Sequence, residues 1–103
     1  MDATIEKALR QTLDAWERMK KSHEDDAEDD ANQFEAAFYK LVDAIRSWFN
    51  ELPAKPESLE DALLLPDLAE IADQMPGEIV LNFETELELI VDGQMRVDDE
   101  KYD

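Results

Sequence analysis

Phe34, Phe38, Leu41, Ile45, Trp48 and Leu52 recur at intervals of 4-3-4-3-4, flanked by Ala37, Val42 and Phe49, and Pro53 follows directly. Steps of three and four keep side chains on one face of an α-helix. Proline disfavours helical backbone in the residue before it. The spacing therefore predicts a helix over 30–51 with one broad apolar face that must be covered. A second stripe, Ile5, Leu9, Thr12, Trp16 and Met19, widened by Ala8, Leu13 and Ala15, predicts a helix over 3–22. Arg18, Lys20 and Lys21 fall in its last turn, where cations suit the negative end of the helix dipole. Two amphipathic helices joined by a short polar segment are expected to fold back antiparallel, burying Trp16 with Phe34, Phe38 and Trp48. One continuous long helix is the competing arrangement. Phe49 lies off the main seam and is left to cover the C-terminal elements or to serve an oligomer contact.

Beyond Pro53 the punctuation changes. Pro53-Ala54-Lys55-Pro56-Glu57 reads as a linker, and Ser58-Leu59-Glu60-Asp61 resembles a capping box with Asp in the place of Glu or Gln. Pro66 interrupts the helix that follows and suits the first position of another, with Leu68, Ile71, Ala72 and Met75 on its apolar side, until Pro76-Gly77 stops it. From Ile79 to Val91 every odd position is apolar or Thr, which predicts a strand. Asp92-Gly93 is a hairpin signal, and Met95–Val97 would return, through a three-residue loop that keeps Met95 and Val97 on the face of Leu89 and Val91. Ile79, Phe83, Leu87 and Ile90 also fit a helical stripe, so an all-α bundle is the alternative. The expectation is a mostly helical α+β fold in a single domain, 1–103. Its parts are a helical hairpin over 3–52, a linker over 53–57, short helices over 58–75, a β-hairpin over 78–98 and an acidic tail over 99–103.

Charge limits function more than any motif does. The 103 residues carry 28 acids and 10 bases, for a net charge of −18. This disfavours nucleic acid and anionic membranes as direct ligands and makes a basic protein the natural complement. Residues 1–22 hold 4 acids and 5 bases, whereas residues 23–103 hold 24 acids and 5 bases. Runs such as Ala62–Leu65 and Ile79–Leu81 are far short of the ~20 apolar residues that span a bilayer. With no cysteine and no basic-then-apolar leader, the cytoplasm is the expected compartment. His23 is the sole histidine and is read as a charge at a helix C-terminus. Gly77 and Gly93 are both accounted for by turns, so neither a nucleotide loop nor a nucleophile–base pair can be written. No enzyme, no metal and no cofactor is expected.

Two groups of carboxylates remain as candidate partner-binding residues. Glu24, Asp25, Asp26, Glu28, Asp29 and Asp30 fall within eight residues. A helix there would set like charges four apart, each pair costing about 0.2–0.5 kcal/mol, so a loop is expected, with Asp29 or Asp30 capping the next helix. The same run can dock a basic partner; for a calcium loop it lacks the alternating ligands, central glycine and distal glutamate. On a strand, Glu84, Glu86 and Glu88 would form a row about 6.8 Å apart on one face. The expected function is that of a small acidic regulator that neutralises a basic protein, as an immunity-type inhibitor or nucleic-acid mimic does. A homodimeric helical chaperone and a small carboxylate- or metal-dependent enzyme are the alternatives.

Overall fold

A computed structural model describes residues 2–21 and 27–93. Among these residues there are five helices and no strand: α1 (Ala3–Lys21), α2 (Ala27–Asn50), α3 (Leu59–Ala62), α4 (Pro66–Gln74) and α5 (Gly77–Val91). The chain divides into two compact units, Met1–Trp48 and Phe49–Asp103, with the boundary in the last turn of α2.

In the first unit, the Asp2 carboxylate opens α1 by accepting the backbone N–H groups of Thr4 (2.8 Å) and Ile5 (3.2 Å), two donors that the helix itself leaves unpaired. α1 then runs antiparallel to α2. Thr12 meets Ala37, Trp16 meets Phe34 and Arg18 meets Gln33, so a step forward on one helix is a step back on the other. Thr12 is fully buried, and its hydroxyl lies 2.8 Å from the Ala8 carbonyl oxygen and 3.1 Å from that of Ala37. A side chain this short reaches a neighbouring backbone only where two helices approach closely, and Ala8, Ala15 and Ala37 supply little bulk to prevent it. Next to this polar tie, the rings of Trp16 and Phe34 stand 5.3 Å apart and those of Phe34 and Phe38 6.0 Å, separations at which aromatic pairs attract beyond their burial.

Two sequence expectations change in α2. It begins at Ala27, so neither Asp29 nor Asp30 is its N-cap; both sit with Glu28 in its first turn. The carboxylates still favour the positive end of the dipole there, by about 0.3–1 kcal/mol each, which offsets the crowding that favours a loop. The second change concerns the aromatic seam. Trp48, expected in the buried seam, is only half-buried, and Phe49, left off that seam, is 2% exposed. Alternating steps of four and three average 3.5 residues against 3.6 per helical turn, so such a stripe drifts by about 20° per seven residues. Two such repeats after Phe34, the drift has carried Trp48 to the edge of the buried face.

In the second unit, Ser58 caps α3 by accepting the Asp61 N–H at 3.1 Å, and Pro66 occupies the first turn of α4, where its missing N–H costs nothing. α3 and α4 both pack on α5. Leu68, Ile71, Ile79, Phe83, Leu87 and Ile90 are among the residues buried in this unit.

The β-hairpin expected over 78–98, and with it the α+β class, is not what forms, because Gly77–Val91 is a helix. Ile79, Phe83, Leu87 and Ile90 point inward, while Leu81, placed by alternation on the same strand face, is 70% exposed. Positions 79, 83 and 87 are odd-numbered and also four apart, so they satisfy both periods; the two readings part only at Leu81, Thr85, Leu89 and Ile90. A lone strand leaves its backbone groups to be paired elsewhere, whereas a helix of Leu and Glu pairs its own and suits both residues. For the described residues the all-α alternative is the one observed. Asp92-Gly93, expected as a hairpin turn, instead ends α5: the N–H groups of Asp92 and Gly93 donate to the Glu88 and Ile90 carbonyls, both at 3.0 Å, and Gly93 has φ +74°. The expected return strand Met95–Val97 and the tail 99–103 lie outside the described residues. An added Cβ at Gly93 would meet no atom within 4 Å, so Gly93→Ala tests backbone conformation alone. It should destabilise the protein by about 1 kcal/mol in urea unfolding, and an unchanged midpoint would show that this cap does not matter.

Candidate functional site

The first group of expected site residues is split by the structure. Glu28 and Asp29 are exposed and Asp30 is half-buried in the first turn of α2. Among the described residues none of the three is in an ion pair. Glu24, Asp25, Asp26 and His23 lie outside the described residues.

The second group does not form the expected row. Each helical residue turns the chain by about 100°, so Glu86 projects from α5 at about 160° from Glu84, and no ladder of Glu84, Glu86 and Glu88 exists. The helix aligns Glu84, Glu88 and Asp92 instead, four residues apart, each step rising about 6 Å. Asp92 is missing from the expected site because its pairing with Gly93 suggests only a turn.

A larger feature contains this line. Phe49–Asp103 carries 16 acids and 3 bases, and Met1–Trp48 carries 12 acids and 7 bases. Between Lys55 and Arg96 there is no Lys, Arg or His, while 11 acids stand there. Glu60, Asp61, Glu70, Asp73, Glu78 and Glu88 are exposed among them. The interval is open to view in the sequence as the gap between two bases, but division of the chain at residue 22 conceals it.

Local energetics oppose this distribution. Glu84/Glu88 and Glu88/Asp92 are like-charge pairs at four-residue spacing, each costing about 0.2–0.5 kcal/mol on a helix. α3, α4 and α5 all lack a base in the last turn, where a cation would stabilise them. Solubility alone would be served by acids at any exposed position, without setting them in these pairs.

The first unit offers a different surface. Two adjoining cavities of about 510 and 350 Å³ lie along α1 and α2 and share Gln11 and Lys40; Lys7, Arg18, Asp14 and Asp43 also line them. Their charges are mixed and exposed. Arg46 donates to Asp43 at 2.7 Å, while its Nε is buried with no hydrogen-bond partner among the described residues. No group of His, Cys, Asp or Glu among the described residues is arranged to hold a metal ion, and no helix there is long and apolar enough to cross a membrane. Compared with protein families, curated proteins and solved structures, the chain matches none.

Proposed function

We propose that this protein binds a basic protein partner through the carboxylates of its second unit, with the first turn of α2 as a further acidic contact. The observation that carries this reading is the interval from Lys55 to Arg96, which holds 11 acids and no base. Its like-charge pairs and uncompensated helix ends work against folding, as expected of charge retained for recognition rather than for stability. Clustered charge of one sign steers an oppositely charged partner and raises its association rate. The regular strand ladder that would have imitated a phosphate backbone is absent from α5, so a basic protein surface fits this helix better than a nucleic-acid-binding groove. The activity is neutralisation or modulation of that partner by occupancy, with no chemical step.

Capture from the native cells at low salt, followed by stepwise salt elution and mass spectrometry, tests the proposal. A basic protein released by moderate salt is the expected result. Recovery of only self-association or of a salt-resistant apolar partner would overturn it and reduce the acidity to a solubility feature.

A further inference from the structure

We infer that the segment this protein recognises is basic and amphipathic, with apolar side chains set between its lysines or arginines. The inference rests on the proposed binding role and specifies the partner for the same unit. Two large apolar side chains among the described residues are conspicuously exposed, Leu64 at 78% and Leu81 at 70%, and both fall inside the interval without bases. Each has acids within a few residues along the sequence. Leu64 follows Glu60 and Asp61 by one turn and precedes Asp67 by three residues; Leu81 lies one turn from Glu78 and one turn from Glu84 on the outward side of α5.

Isolated exposed leucines are ordinary on protein surfaces. The coincidence is what requires explanation. The first unit, with 12 acids and 7 bases, shows no large hydrophobe of comparable exposure among its described residues, whereas the second, with 16 acids and 3 bases, shows two. A surface used only for repulsion or solubility gains nothing from exposed leucine, and a purely electrostatic mimic has no use for it. A basic segment with interleaved apolar residues uses both features. Its cations meet the carboxylates on approach, and its apolar side chains then cover Leu64 or Leu81, contacts that salt does not screen. Amphipathic helices present such residues at three- and four-residue intervals, the spacing on which Glu78, Leu81 and Glu84 lie.

Two labelled peptides of about sixteen residues, long enough to form a helix on binding, provide the probe. They carry equal numbers of lysines; one has Leu and the other Gln at the intervening helical positions. Titrated into the full-length protein at low and moderate salt, the Leu peptide should bind at least about tenfold more tightly, equivalent to about 1.4 kcal/mol. Its advantage should persist as salt weakens both. The double variant Leu64→Gln/Leu81→Gln should lose that preference while binding the Gln peptide as before, and the exposure of both residues predicts an unchanged circular dichroism spectrum. Equal affinity for the two peptides, or a preference that survives in the double variant, would overturn the inference and leave the acidic binding role standing. Failure of both peptides to bind would remove the binding role itself, and the inference with it.

Discussion

Phe83→Ala should destabilise the protein by about 3–5 kcal/mol, whereas Leu81→Ala, two residues away, should change stability by less than about 0.5 kcal/mol. Phe83 is 1% exposed on the inner side of α5, and Leu81 is 70% exposed on the outer side. On a strand the two would share a face and a fate, because residues two apart point the same way. On a helix they lie about 160° apart. Urea unfolding followed by far-ultraviolet circular dichroism measures both variants against the parent. Equal losses from the two would restore the strand; a loss confined to Phe83 marks the helix. The Phe83 loss is large because an aromatic ring deleted from a packed interior forfeits its transfer free energy and leaves a cavity that neighbours fill only in part.

Reversing charge at the end of α5 should move binding and stability in opposite directions. In the double variant Glu88→Lys/Asp92→Lys, the lysine introduced at position 88 forms a favourable pair with Glu84 at four-residue spacing, and both new cations lie near the negative end of the helix dipole. Folding stability should therefore rise by about 0.5–1 kcal/mol. The same change removes two carboxylates from the line Glu84, Glu88 and Asp92 and adds two positive charges to the face proposed to meet a basic partner. Stopped-flow association with the Lys/Gln peptide should slow by about tenfold or more at low salt, with a shallower dependence on ionic strength than the parent shows. Unchanged association would exclude this face from binding. A fall in stability would show that the carboxylates have structural partners and are not held there at an energetic cost.

Much of the helical framework is legible from residue spacing. The stripe from Phe34 to Ile45, Pro53 after the second helix, Ser58 as an N-cap and Pro66 at a helix start each act through local geometry, and local geometry can be read along a chain. The candidate site is only partly legible. Acid counts are visible by inspection, but whether Glu84, Glu86 and Glu88 stand together depends on the period of the backbone that carries them. Sequence alone therefore names the residues and misplaces their arrangement.

The residues at which reading and structure part company share one property, compatibility with two local solutions. Ile79, Phe83 and Leu87 satisfy a period of two and a period near four; Asp92-Gly93 serves a hairpin turn as well as a helix end; Trp48 and Phe49 each follow Ile45 at a helical interval. Nothing within such segments chooses. Composition and order alone were enough to establish the charge, the two long amphipathic stripes and the stops at proline, because these depend on each residue and its near neighbours. The choice of α5 over a strand, the burial of Phe49 in preference to Trp48 and the tie from Thr12 to Ala37 were settled only in the folded chain, where distant surfaces must pack without voids and each buried polar group must find a partner.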